Sequence, residues 1–298
     1  MSAYRLDRMT YSVRRPPSLA TRKARGLTFQ FYHWPGDDPR PIVFAHGWGD
    51  SGETFQFIVD QLSTRHTIVA FDARGFGRTE WPQDGYWFPD YLADLDALLD
   101  DLSPDEPVDL LGHSMGGNVV MMYAGARPQR VRRLINLEGF GLQQVSGTHA
   151  PARYREWLDE IKVGSRYASY ATFEQLASVL ARRNPRTPPD RLEFIARSWA
   201  QERDGRVELR ADPRHKRVNP VLYQRDQAEA CWREIAAPVM FVVGGLSDVA
   251  QRLGDAETAA HFERQFRDLT LVTIADAGHM VHHERPAEVA ELIERFLR

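Results

Sequence analysis

The sequence predicts an α/β fold built on a parallel sheet that a helical insertion interrupts. Three observations carry this. Between Leu27 and Leu142, short β-rich runs alternate with amphipathic stretches. The runs are apolar throughout rather than alternating with polar residues, which indicates strands covered on both faces. After a long arginine- and aromatic-rich segment the same rhythm resumes at Val239.

Leu27 to Tyr32, Ile42 to Ala45, Thr67 to Phe71, Val108 to Leu111 and Leu134 to Leu137 read as strands, and residues 13 to 26 before them as irregular and polar. Thr54 to Leu62, Tyr91 to Leu102 and Gly116 to Ala126 carry apolar residues at helical spacing. From Gly141 to Arg233 the chain reads as mostly helical, broken at Asn184-Pro185 and Thr187-Pro188-Pro189. Val239 to Val243 and Leu269 to Ile274 are two more buried-strand runs, with Gln251 to Phe266 helical between them and Pro286 to Leu297 a closing amphipathic helix. The expected division is therefore a core of residues 1–140 and 234–298 and a helical cap of residues 141–233.

Composition excludes several function classes. No segment approaches the ~20 continuous apolar residues that cross a bilayer, so membrane insertion is not expected. A formal net charge of −3 argues against a general nucleic-acid partner, and the N-terminal arginines (Arg5, Arg8, Arg14, Arg15) read as a solvated face. No apolar stretch follows Arg14-Arg15 as an export signal requires, so cytoplasmic residence is expected. Cys231 is the only cysteine, which rules out an internal disulfide framework and a thiolate metal cluster within one chain. His279, His282 and His283 lie close in sequence but have no H-E-x-x-H pattern, so no metal and no cofactor is expected.

The chemistry concentrates in Gly112-His113-Ser114-Met115-Gly116, between the run Val108 to Leu111 and a helical stretch. Strand, sharp turn and helix expose the serine hydroxyl above the sheet edge. A serine hydroxyl is a weak nucleophile at neutral pH, so it needs a base and a group to orient that base. His279, just beyond the last strand, is the expected base. Asp248, in Gly245-Leu246-Ser247-Asp248 after the preceding strand, is the expected acid because it satisfies the chain order Ser, Asp, His; Glu138, after the strand Leu134 to Leu137, is the rival. Backbone amides of Met115 and of Trp48, in His46-Gly47-Trp48-Gly49, are the expected oxyanion donors. Trp48, Gly47 and His113 are candidate substrate contacts, His113 also packing against that glycine turn. Asp72-Ala73-Arg74-Gly75-Phe76-Gly77 lacks both the P-loop lysine and dinucleotide-site spacing, and reads as a structural turn.

Together, His46-Gly47-Trp48, Asp72-x-Arg74-Gly75-x-Gly77, Gly112-x-Ser114-x-Gly116, Gly245-x-x-Asp248 and Gly278-His279 resemble the α/β-hydrolase superfamily, in its serine-nucleophile, esterase- and lipase-like branch, over nearly the whole chain. The resemblance implies an eight-stranded, mostly parallel sheet, a helical cap after the sixth strand and a covalent acyl-enzyme. Haloalkane dehalogenases and epoxide hydrolases of this fold use an aspartate where this chain has Ser114. Dehalogenase-like relatives can take their acid from the Glu138 position. The expected activity is hydrolysis of a small-to-medium carboxylic ester, the partner being that small molecule and the protein a monomer or homodimer. The same machinery serves thioesters, lactones and carbon–carbon bonds beside a carbonyl; a ligand sensor on the same scaffold is the rival from another class. The basic run Arg210 to Arg217 reads either as a solvated strand and loop or as a site for a substrate carboxylate.

Overall fold

The computed structural model describes residues 11–298, so Arg5 and Arg8 of the basic N-terminal cluster lie outside the described residues. Eight strands form one sheet: β1 (Ser18–Ala24), β2 (Leu27–Trp34), β3 (Asp38–Ala45), β4 (His66–Phe71), β5 (Val108–His113), β6 (Val131–Leu137), β9 (Val239–Gly244) and β10 (Leu269–Ile274). Their spatial order is β1-β2-β4-β3-β5-β6-β9-β10. The pairs β1–β2 and β2–β4 are antiparallel and every other pair is parallel.

Alternation along the central strands feeds two cores. Val43, Ala45 and Leu110 point to one face, beneath α2 (Phe88–Leu102), α3 (Met115–Ala126) and α7 (Arg225–Glu234). Ile42, Phe44 and Leu111 point to the other, beneath α1 (Gln56–Val59) and α11 (Pro286–Leu297). In α11 the buried residues Val289, Leu292 and Ile293 fall at i, i+3 and i+4, which is why this stretch is a helix with one face on the sheet. α8 (Asp248–Leu253), α9 (Ala256–Glu263) and the short α10 (Val281–Glu284) complete the layers. The single helix expected over Gln251 to Phe266 is thus two, the second capped by the Asp255 side chain on the Thr258 amide.

Strand β1 departs from the expectation of an irregular segment. It pairs with β2 through a tight turn at Arg25-Gly26, both in the left-handed region (φ 47 and 80). Its side chains are almost all exposed, including Arg22 and Lys23, so it has no apolar pattern; charged residues on an edge strand also discourage pairing with other chains. The opposite edge, β10, is less buried than its apolar composition suggests, with only Ile274 fully enclosed.

The insertion also differs from expectation. It contains α4 (Ala150–Val163), α5 (Phe173–Arg183) and α6 (Pro189–Trp199), followed by an antiparallel hairpin of β7 (Ala200–Arg203) and β8 (Arg206–Leu209). The hairpin turns at Asp204-Gly205, again left-handed (φ 50 and 70), a two-residue signal inside a charged run. Leu176, Leu180, Leu192, Ile195 and Val207 form a separate core seated on Phe57 of α1. The expected boundary at residue 233 puts α7 in the cap. α7 packs on α3 so closely that a Cβ on Gly125 would collide with the Cys231 carbonyl, and Trp232 is buried in the main core. α7 thus packs with the main core and not with the insertion's own core.

Parallel register brings the C-terminal ends of β3, β5, β6, β9 and β10 to one edge, with His113 opposite Leu137, Leu137 opposite Val242 and Ile274 opposite Gly244. The loops after these strands converge there, where an open α/β sheet presents its functional groups.

Candidate active site

Ser114 occupies the turn between β5 and α3 with φ 51 and ψ −112, a conformation an L residue adopts only under constraint. The constraint comes from backbone crowding. A Cβ on Gly112 would strike the Gly116 carbonyl, and one on Gly116 would strike the carbonyl of Ala45 on β3. Small residues at both positions let strand and helix close tightly enough to force the serine outward, and the Ser114 amide is anchored on the Leu137 carbonyl at 2.8 Å.

The His279 Nε2 lies 2.9 Å from Ser114 Oγ, and its Nδ1 lies 3.0 Å from Glu138 Oε2. A carboxylate only accepts, so Nδ1 carries the proton and donates to Glu138, leaving Nε2 to accept from the serine hydroxyl. The Glu138 side chain is 0% exposed, whereas that of His279 is 48% exposed: the carboxylate is enclosed and the imidazole reaches the surface of the site. Glu138 stands just past β6 with φ 63, its amide bonded to the Val242 carbonyl. Its second oxygen accepts from the Gly244 amide at 2.6 Å and the Ser247 hydroxyl at 2.9 Å, which fixes the carboxylate plane.

The expectation of Asp248 as the orienting acid is not met. Asp248 is exposed at the first position of α8, and it is Glu138 that occupies His279 Nδ1. The loop Gly245 to Asp248 does reach the site, but through Ser247, whose hydroxyl donates to Glu138 and accepts from the Ala250 amide at 3.1 Å to cap α8. With Ser247 as cap, the next side chain is turned to solvent.

Met115 begins α3, and Gly47 packs on the serine, a Cβ there falling 3.2 Å from Ser114 Cβ and 2.7 Å from His113 Nδ1. The exposed Trp48 ring stands edge-on to Phe76 at 6.2 Å between centroids. A cavity of about 1160 Å³ includes Trp48 and Met115 in its wall, with Tyr86, Trp87, Trp157 and Ile161. Of the expected substrate contacts, Trp48 lies in that wall, while Gly47 packs against Ser114 and His113 lies buried behind it. His113 is 1% exposed, its Nε2 lies 2.9 Å from the His279 carbonyl oxygen, and burial, with His282 and His279 nearby, holds it neutral well below the usual imidazole range. It supports the loop that carries His279. His46 supports the glycine turn, its Nε2 accepting from the Ala73 amide at 2.9 Å.

The turn after β4 is structural. Asp72 accepts from Ser51 Oγ, the Gly52 amide, Tyr32 Oη and the Arg78 amide, all within 3.0 Å, and Gly77 (φ 54) leaves room for that carboxylate. Arg74 is locked on Asp94 through two bonds of 2.5 Å.

The histidine loop is fastened to the insertion by contacts that sequence spacing does not reveal. Glu284 Oε2 accepts from the Gly278 amide at 2.7 Å and from Arg186 Nε at 2.9 Å. Asp50 Oδ1 accepts from Trp199 Nε1 at 2.7 Å, and its Oδ2 from His282 Nε2 at 3.0 Å. Asp50, His282 and His283 are the group of donors among the described residues close enough together to hold a metal ion. Asp50 already uses both oxygens on hydrogen bonds, with Ser51 and Thr54 adding two more on Oδ1, so the cluster works as a cross-link between core and insertion. Burial depresses His282 to about 4, keeping it neutral beside Asp50.

A family model described as the alpha/beta hydrolase family matches residues 42–292. The 3-hydroxybutyrate-oligomer hydrolase of Cupriavidus necator is 31% identical over 283 residues, covering 89% of this chain and 92% of that protein. The 2-(acetamidomethylene)succinate hydrolase of Mesorhizobium japonicum is 27% identical, covering 86% and 87%. Among solved structures, a thioesterase domain from the curacin biosynthetic pathway superposes with a TM-score of 0.80 at 22% identity, covering 93% of this chain and 99% of that one. With the family match spanning most of the sequence and the sheet order described above, this chain belongs to the alpha/beta hydrolase family.

Proposed function

We propose that the protein is a serine hydrolase of carboxylic esters, with Ser114 as nucleophile, His279 as general base and then acid, and Glu138 as the orienting carboxylate. The observation that carries this reading is the continuous hydrogen-bonded chain from Ser114 Oγ through His279 to Glu138. Ser114 Oγ attacks the ester carbonyl while His279 Nε2 takes its proton; the tetrahedral oxyanion rests on the amides of Met115 and Trp48. His279 returns the proton to the departing alcohol, which leaves an acyl-serine. Water, deprotonated by the same nitrogen, attacks the acyl carbon, and the proton passes back to Ser114 as the acid departs. Glu138 holds the imidazole in the tautomer this needs and stabilises its charged form.

Residues 141–224 act as the cap that walls one side of the substrate cavity, contributing Trp157 and Ile161. A hydrolase of oligomeric 3-hydroxybutyrate esters among the relatives supports an ester substrate larger than a simple acetate. The lone Cys231 fits residence in the cytoplasm, where disulfides are rare.

The test is turnover of p-nitrophenyl esters of increasing acyl length beside matched thioesters, for the wild type and Ser114→Ala. The expected result is ester turnover that Ser114→Ala reduces by about 10⁴-fold or more, as for a nucleophile that works as part of a unit. Turnover that survives the substitution, or a wild type that cleaves only thioesters, overturns the proposal.

A further inference from the structure

We infer that Arg217 is a specificity-determining residue that pairs with a free carboxylate on the substrate, so that the preferred substrates are anionic esters such as short oligoesters of hydroxy acids; this rests on the hydrolase reading above. The argument begins with charge pairing in the cavity wall. Four arginines line it: Arg25, Arg74, Arg214 and Arg217. Arg25 is bonded to Asp90 and Asp94, Arg74 to Asp94, and Arg214 to Asp212 and to the carbonyls of Pro82 and Gln83. Arg217 has no side-chain hydrogen bond or ion pair among the described residues, and its Nε is buried without an acceptor.

A guanidinium is charged at any physiological pH and carries only donors, so a buried N–H left without an acceptor is costly. The wall offers Arg217 no carboxylate of its own. Asp90 serves Arg25 and Arg74, Glu80 accepts from the Thr28 amide, and Asp84 is exposed, its field acting on Arg214. Of the other cations in the basic run, Arg210 is bonded to the Ala200 carbonyl and Gln201 and Lys216 to the Arg166 carbonyl; His215 is stacked between Phe76 and Tyr86 at 3.9 and 3.5 Å, its Nε2 also without a partner, but burial pushes it down to about 4 and so leaves it uncharged. Arg217 is thus the arginine of this wall left for an anionic ligand, and the planar fork of a guanidinium matches a carboxylate in a bidentate pair.

Size and polarity agree. The cavity, about 1160 Å³, is larger than the roughly 300–1,000 Å³ common for small-molecule sites, and holds more than one short ester unit. Val218, Pro220 and Val221 follow Arg217 in the wall, while Trp48 and Met115 stand beside the nucleophile. A molecule with its ester beside Met115, the residue next to Ser114, an apolar middle and a carboxylate at Arg217 matches this lining.

The experiment compares the linear dimer of 3-hydroxybutyrate, which bears a free carboxylate, with the methyl ester of the same dimer. The wild type should favour the acid through a KM at least about tenfold lower, and this preference should weaken as salt is raised. Arg217→Gln should abolish the preference, and Arg217→Lys, which keeps the charge without the fork, should restore part of it. A wild type without preference, a wild type that cleaves neither dimer, or an Arg217→Gln that keeps the preference overturns the inference. Failure of the underlying reading is seen separately, as absence of an acyl adduct on Ser114 after mixing with p-nitrophenyl butyrate.

Discussion

Replacing Glu138 by glutamine retains the shape of the side chain and removes its charge. If the amide oxygen keeps the bonds from the Gly244 amide and Ser247, the amide nitrogen faces His279 Nδ1 across the former 3.0 Å bond. Two donors then oppose each other, so the imidazole must shift its proton to Nε2, where it can no longer accept from Ser114. The lost attraction adds to this. A carboxylate and an imidazolium about 4 Å apart at an effective dielectric constant of ~20 interact by about 4 kcal/mol. At about 1.4 kcal/mol per decade that is nearly a thousandfold in rate. Half-exposure of His279 screens part of the attraction, while the wrong tautomer costs more, so we expect kcat for p-nitrophenyl butyrate to fall about 10³-fold with the melting temperature nearly unchanged. Asp248→Asn is the matched control. Asp248 is exposed at the start of a six-residue helix, where its charge contributes about 0.3–1 kcal/mol to stability and nothing to His279. Its kcat should stay within about twofold of wild type, as for a surface substitution worth under 0.5 kcal/mol. Steady-state kinetics of both variants decide the matter: a greater loss from Asp248→Asn refutes the assignment of Glu138.

Three further outcomes follow from the packing. Glu284→Ala removes the acceptor shared by the Gly278 amide and Arg186, and should lower kcat about tenfold with a smaller change in KM and cost about 1–3 kcal/mol in urea denaturation, the penalty for a buried donor left bare; unchanged kcat would show that this tie does not position His279. Gly125→Ala should lower stability by about 1–3 kcal/mol because its Cβ meets the Cys231 carbonyl, and an unchanged melting temperature would mean that α7 is not held against α3. Acid should destabilise the fold before carboxylates titrate: burial lowers His282 from 6.5 to about 4, so the unfolded chain binds more protons between these values, and stability present above pH 6.5 is lost as pH falls toward 4. His215, lowered to about 4 chiefly by burial, acts in the same direction. Thermal melts at pH 7.5 and 5 test this, and an equal melting temperature at both would contradict it.

Most of the sheet was legible because parallel strands buried on both faces are largely apolar; β9 shows this along its length and β4 over its last four residues, while β5 and β6 keep enough of the pattern despite Asp109, Arg132 and Arg133. Strand β1 was not, since an edge strand with exposed side chains needs no apolar pattern. The β7–β8 hairpin hid for a related reason, its only signal being Asp204-Gly205 among charged residues. Ser114 and His279 were legible from strand-end motifs. The carboxylate on His279 Nδ1 is Glu138 and not Asp248, which chain order favours, because order along a chain does not report reach. Glu138 adopts a left-handed backbone just past β6, and that turn together with its longer side chain brings its carboxylate to His279, while capping by Ser247 turns Asp248 outward. The ties from Arg186 to Glu284 and from Trp199 to Asp50 span about a hundred residues or more and leave no local pattern.

The central claim is that Ser114, activated by His279 and Glu138, forms a covalent acyl intermediate. Rapid mixing with p-nitrophenyl butyrate, quenched in acid and followed by intact-mass measurement and peptide mapping, tests it most directly. The account predicts one butyryl group per chain on the peptide containing Ser114, absent in Ser114→Ala and much slower to form in Glu138→Gln. An adduct on another residue, or p-nitrophenol released at the wild-type rate by Ser114→Ala, would contradict it.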